Sequence, residues 1–260
     1  MNYLFGTSGF SYDDWKGNFY PENIKKNEML SFYSGIFKVV EINVTYYTIP
    51  SAASFEKMAA KTEDQFEFIV KVHQETTHRR KENEASINLL VEALRPLSEQ
   101  KKLAGLLAQF PYSFPNSEIN RKYLRKTKDF IKNIPLFVEF RNASWNKSAV
   151  KEFLFTNNIG YVNVDEPNLK GLLPQQDWLT SDLGYVRFHG RNEKKWWDGK
   201  GSERYEYNYN QDQLKEWLIR ISEILKKSYK SYIFFNNHPK GNAPANAQSL
   251  QKLVKQYIHK

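Results

Sequence analysis

The residues able to do chemistry in this chain stand where short apolar runs give way to polar ones. Tyr185, Val186 and Phe188 favour a pleated strand, and the same stretch releases Arg187, His189, Arg191 and Asn192 within six residues. Gly190 among them lets the backbone turn or come close to a neighbour. The pattern recurs as Glu41 with Asn43, Lys71 with His73, Gln109, Glu139 with Arg141 and then Trp145, Asp165 with Glu166, and Asn236, Asn237 with His238. Carboxylates and imidazoles are the groups of general acid–base catalysis, and guanidinium and ammonium groups bind phosphate or carboxylate.

These bursts are useful only if something gathers them. Between them run helical patterns: 25–37, 52–61, 84–95 (which Pro96 ends or kinks), a helix carrying Ile119 to Ile131 capped by Asn116, one carrying Val150 to Leu154, and two after Asn210 and Asn237. Asn210 with Gln213 has the form of a capping box. Eight apolar runs start near Tyr3, Val39, Phe66, Leu103, Leu136, Tyr161, Gly184 and Tyr232. Strand and helix alternating eight times predict an α/β fold, a single (β/α)8 barrel of TIM type over residues 1–260, with long loops after strands 6 and 7. An open doubly wound sheet would carry a glycine-rich phosphate fingerprint after its first strand, and GTSGFS lacks that spacing. In a barrel the strand ends converge at one mouth, so these residues are expected to share a site.

Composition narrows the chemistry. There is no cysteine, which excludes disulfides, thiolate zinc sites and a cysteine nucleophile and fits a cytoplasmic location. No apolar run approaches the roughly 20 residues of a membrane helix, and the N-terminus does not read as a signal peptide. The net charge of +9 (38 basic less 29 acidic) raises the prospect of an anionic partner, nucleic acid included, or simply describes a solvated lysine-rich surface. The helix with Arg121, Lys122, Arg125, Lys126, Lys128 and Lys132 is expected to face water.

No GxSxG elbow supports a serine triad, and no HxH or HExxH spacing supports a metal centre. A divalent metal held by His189, His238, Glu41, Glu139 and Asp165 stays open as an unidentified cofactor. Each candidate also has a structural alternative. Glu139 with Arg141 could brace the barrel, Glu41 could pair with a strand-end cation, Asp165 and Glu166 could shape the turn before Pro167, and His238 could be a satisfied rim histidine. The loop tryptophans Trp15, Trp145, Trp178, Trp196 and Trp197 could stack on a sugar or a base, or pack the loops down.

The motifs GTSGFSYDDWKGNFYP, EINVTYY, QFPYSF, VEFRNASW, YVRFHGRN and FNNHPKGNAPANA resemble the YecE-like family across essentially the whole chain. One departure is the first Tyr of EINVTYY, where the family pattern leads us to expect Phe. The resemblance implies a TIM-type barrel and supplies no reaction.

Three functions follow as expectations. The first is an enzyme that cleaves an anionic small molecule or nucleic-acid fragment at the mouth. Glu41 and Glu139 would be its base and acid, His189, His238 and Asp165 further catalytic candidates, and Arg141, Arg187 and Arg191 its anion holders. Asn43, Lys71, His73, Gln109, Trp145, Asn192, Asn236 and Asn237 complete the substrate contacts. The second is a glycoside hydrolase-like enzyme with paired carboxylates. The third is a non-catalytic nucleic-acid binder, whose affinity would fall steeply with salt.

Overall fold

Eight β-branched and aromatic runs, too short for helices and buried on both faces, become parallel strands because the intervening amphipathic segments cover them. The computed structural model describes residues 2–258. Its strands are β1 (Tyr3–Thr7), β2 (Val39–Ile42), β3 (Glu67–Lys71), β4 (Leu103–Gln109), β5 (Leu136–Glu139), β6 (Ile159–Asp165), β7 (Leu183–Phe188) and β8 (Lys230–Phe235). Every pairing is parallel, in the order β1-β8-β7-β6-β5-β4-β3-β2. The ends of that sheet meet where Ser8 bridges Glu41, so the fold is a single (β/α)8 barrel of TIM type.

The β1–β2 seam is closed by a side chain. The Thr7 N–H donates to the Tyr33 hydroxyl at 2.8 Å, and that hydroxyl donates to the Val39 carbonyl at 3.1 Å. A phenol thus replaces the direct ladder bond that two fully paired strands would make. At the rim the Gly9 N–H completes the closure by donating to the Glu41 carbonyl at 2.8 Å.

The helices are α1 (Met29–Ile36), α2 (Ala52–Ala60), α3 (Asn83–Ala93), α4 (Arg95–Glu99), α5 (Glu118–Ile131), α6 (Ser148–Thr156), α7 (Gln211–Lys215), α8 (Leu218–Lys227) and α9 (Asn242–Ile258). Pro96 does not simply end the third helical pattern. It sits in the first turn of α4, where its missing N–H costs nothing. Ser117, not Asn116, caps α5, its hydroxyl accepting from the Asn120 N–H at 3.2 Å. Asn116 instead donates to the Ser144 carbonyl and accepts from Arg121 Nε, tying α5 to the loop after β5. The capping box of Asn210 and Gln213 is formed. The basic residues of α5 lie mostly on its exposed face. Among the described residues no helix is long and apolar enough to cross a membrane.

Strand alternation then decides which side chains fill the cylinder. Phe137, Tyr185 and Tyr232 meet across its middle, with Phe137 and Tyr185 ring centroids 4.8 Å apart. One layer nearer the carboxyl end, the same faces carry charges.

Candidate functional site

The inward positions of β2, β5 and β7 are Glu41, Glu139 and Arg187, all buried. These strands are not neighbours in the sheet, so their side chains can touch only across the interior. Arg187 Nη2 donates to Glu41 Oε1 at 2.6 Å and to Ser8 Oγ at 3.2 Å, and its Nη1 donates to Glu139 Oε2 at 2.5 Å. The Tyr185 hydroxyl donates to the other Glu41 oxygen at 2.6 Å. Arg141, two residues beyond Glu139, pairs with Glu139 Oε1 at 2.6 Å and with Glu166 Oε2 at 2.6 Å. The result is a buried chain of alternating sign, Glu41–Arg187–Glu139–Arg141–Glu166.

Charges this deep persist only because each has partners. Burial alone would raise the Glu139 carboxyl, but Arg141, Arg187 and His189 outweigh it and hold it well below the usual carboxylate range. Glu166, at the end of the chain, is pushed up to about 7 by burial, which Arg141 only partly offsets. His189 is fully buried, and burial and Arg141 lower it to about 3, so its imidazole is neutral. Its Nε2 lies 3.2 Å from Glu139 Oε1 and 3.0 Å from Arg141 Nη2, and its Nδ1 lies 3.0 Å from Asn236 Nδ2.

Above this layer opens a cavity of about 460 Å³. Arg187 forms part of its floor. Its walls include Asn43, Lys71, Gln109, Asn236 and His238, and the loop after β7 adds Arg204 and Tyr205 from above. Tyr12, Tyr46, Tyr47 and His78 complete the lining. All three charged side chains of the wall, Lys71, Arg187 and Arg204, are cations.

Lys71 Nζ donates to Gln109 Oε1 at 2.9 Å and lies 4.8 Å from the Tyr46 ring centroid. Burial and nearby Arg187 lower its ammonium to about 8. His78 is lowered to about 4 by burial, then Lys71 and Arg80. It stands on a single π-helical turn, Glu75–Arg79, of the kind that often re-aims a side chain at a functional site. The His238 ring stacks on Tyr12, with centroids 4.4 Å apart and planes at 11°. Three buried polar atoms of lining residues have no hydrogen-bond partner among the described residues: Arg187 Nε, Asn43 Oδ1 and His238 Nδ1.

The expected site residues therefore divide. Asn43, Lys71, Gln109, Arg187, Asn236 and His238 line the mouth, whereas Glu41, Glu139, Arg141 and His189 lie beneath it in the ion-pair layer. Six others face elsewhere. Asp165 points outward between barrel and helices, accepting from Arg191, Gln175, the Tyr209 hydroxyl and Trp217 Nε1. With Arg191 it fastens the loop after β7 and cannot serve as an acid at the mouth. Gly190, at φ 91°, makes the turn that sends Arg191 outward, and a Cβ there would come within 2.6 Å of Tyr207.

Asn192 donates to the Glu203 and Glu206 carbonyls, and Asn237 to the Tyr207 carbonyl and Asn246, so both brace the same loop. His73 turns to the Tyr47 carbonyl and lines a separate surface groove with Glu75 and Glu82. Trp145 is fully buried against Phe140 and donates to the Phe114 carbonyl at 2.7 Å. Trp15 and Trp196 are also buried, so most loop tryptophans pack rather than present a platform. His259 lies outside the described residues.

Among the described residues no three His, Asp or Glu side chains are grouped as a metal would require. The carboxylates proposed as ligands already receive guanidinium protons, so the donor set does not fit a divalent cation. The same pairing removes the glycosidase reading, which needs two carboxyls free to act across a groove: Glu41, Glu139, Glu166 and Asp165 are each held by an arginine.

Fold and site together define a TIM-type barrel with a cationic, aromatic mouth set on a layer of buried ion pairs. The chain belongs to the family described as "Protein of unknown function DUF72", which matches residues 4–260 and of which YecE-like is another label. It is 32% identical to the UPF0759 protein YunF of Bacillus subtilis (strain 168), over 90% of this chain and 89% of that protein. It is also similar to the crystal structure of a DUF72 family protein from Thermotoga maritima, at 40% identity and a TM-score of 0.91, covering 98% of this chain and all of the other. A DUF72 family protein from Enterococcus faecalis V583 superposes with a TM-score of 0.87 at 27% identity, covering 97% of this chain and 95% of that one.

Proposed function

We propose that the mouth is the active site of an enzyme that binds a small phosphate- or carboxylate-bearing molecule and acts on it by general acid–base chemistry. The observation that carries this reading is the sign of the wall: Lys71, Arg187 and Arg204 all line the cavity, and no carboxylate does. The unpaired Arg187 Nε, Asn43 Oδ1 and His238 Nδ1 support it, because buried polar atoms without partners are costly unless a ligand or water supplies one. Glu41 and Glu139 lose the acid and base roles their sequence positions suggested. They orient Arg187 beneath the ligand, and Lys71, lowered to about 8, becomes the cavity-lining cation that can lose its proton. A volume of about 460 Å³, with Arg204 and Tyr205 in its lining, favours a small ligand over a nucleic-acid duplex.

Calorimetric titration with inorganic phosphate tests this. The protein should bind phosphate, and Arg204→Ala should weaken binding about tenfold, as expected for loss of one charged hydrogen bond. Exchanging an exposed lysine of α5 should leave binding unchanged. No phosphate binding, or equal weakening by the α5 variant, would overturn the reading. Tighter binding of a short oligonucleotide that depends on the α5 lysines would favour the nucleic-acid alternative.

A further inference from the structure

We propose that Lys71 is an imine-forming amine, condensing with an aldehyde or ketone that also carries the anionic group held in the mouth. This rests on the anion-binding reading above and names the substrate class: a small oxo acid or phosphorylated carbonyl compound.

The buried cations differ in how they are paired. Arg187 and Arg141 each hold two carboxylates. Lys230, at the far end of the barrel, is paired with Glu67. Lys102 is buried too, but its ammonium donates to the Ala59 carbonyl, the Thr62 carbonyl and the Thr62 hydroxyl, which fixes the proton and leaves no open approach. Lys71 differs from all of these. Its hydrogen-bond partner among the described residues is one neutral amide oxygen, Gln109 Oε1, and no carboxylate lies within ion-pair distance. It faces the cavity together with two further cations, Arg187 and Arg204.

An ammonium in that company is disfavoured, whereas the free amine loses little, which is how an enzyme makes a lysine nucleophilic. A lowered ammonium pKa of about 8 agrees with the geometry. The same two arginines would hold the carboxylate or phosphate of the substrate and keep its carbonyl near Nζ.

The Nζ lone pair attacks the carbonyl carbon, the C=O pair moves to oxygen, and one proton passes from nitrogen to that oxygen, giving a carbinolamine. Protonation of the hydroxyl expels water, and the nitrogen lone pair forms the C=N bond of an iminium ion. Amine, carbonyl and one proton are consumed, and iminium and one water are produced, with no redox change. The phenols of Tyr46 and Tyr205 stand in the same cavity as hydrogen-bond donors to the departing oxygen.

Glyoxylate, an aldehyde that carries a carboxylate, is the probe. The protein is incubated with it and with cyanoborohydride at pH 7, and its peptides are mapped by mass spectrometry. Hydride addition to the iminium leaves a carboxymethyl group on nitrogen. Lys71 should be modified severalfold more than exposed lysines such as Lys61 and Lys122, and phosphate should suppress that modification selectively. In Lys71→Arg the phosphate-protected labelling should be lost while the exposed lysines are labelled as before. If Lys71 reacts no faster than the exposed lysines while phosphate still binds, the imine proposal fails and the anion site stands. If Lys71 is labelled but phosphate neither binds nor competes, the reactive amine stands and the anion reading fails.

Discussion

Replacing Arg187 by Met tests the charge layer beneath the mouth. The substitution keeps most of the side-chain volume but strips Glu41 of its guanidinium and leaves Glu139 with Arg141 and the neutral His189. Both carboxylates are fully buried. Removing one partner from a buried pair costs about 3–5 kcal/mol, because the other charge is stranded. At roughly 2–4 °C per kcal/mol for a chain of this size, the melting temperature should fall by about 10 °C.

The pH dependence separates stranded charge from lost packing. In the native protein Glu139 is held below its ordinary value of 4.5, so its contribution is full above that pH and is lost as pH falls beneath it. Without Arg187, the burial that raises the Glu139 carboxyl is opposed by Arg141 and His189 alone, so its folded-state value rises relative to the native protein. The folded variant then holds protons the native protein has lost, and its deficit grows as pH rises. Urea unfolding at pH 5 and pH 7 should show the larger deficit at pH 7, and adding Glu139→Gln should recover part of it. A deficit below about 1 kcal/mol, or one equal at the two pH values, would refute the account.

Two further outcomes follow from the same geometry. Glu166, pushed up to about 7 when folded, makes the native protein lose stability as pH rises from about 4.5 toward 7, so Glu166→Gln should flatten that decline in urea titrations; an unchanged slope would count against it. Tyr33→Phe strands the Thr7 N–H and the Val39 carbonyl at the β1–β2 seam and should cost about 3 kcal/mol, at 1–3 kcal/mol for each buried unpaired group. A loss below about 1 kcal/mol would mean that the strands re-pair directly.

The barrel was legible because its strands are short apolar runs with polar ends, and the inward aim of Glu41 followed from its alternation with Val40 and Ile42. Alternation was unreadable where a strand is buried on both faces. All seven residues of β6 are buried, so nothing in the sequence said which of Asp165 and Glu166 enters the barrel. Val162 and Val164 carry Glu166 inward, and Asp165 goes out to Trp217. The doublet Asn236–Asn237 splits in the same way, with Asn236 on His189 and Asn237 on Asn246. Locking of the carboxylates could be suspected from Glu139 and Arg141, but the Arg187 fork across β2 and β5 depends on which strands face one another. Arg204 and Tyr205 lie in a run without periodicity, and their position over the mouth depends on the Asp165–Arg191–Tyr209 brace. The tyrosine-rich composition of 203–209 was the only signal that this loop had a surface to cover.

A crystal structure grown in inorganic phosphate is the most direct measurement of the cationic mouth. Tetrahedral density is expected inside the cavity, within hydrogen-bond reach of Lys71 Nζ and the Arg204 guanidinium, with Glu41 and Glu139 still on Arg187. Phosphate found only on the surface lysines of α5, with the mouth holding water alone, would contradict it.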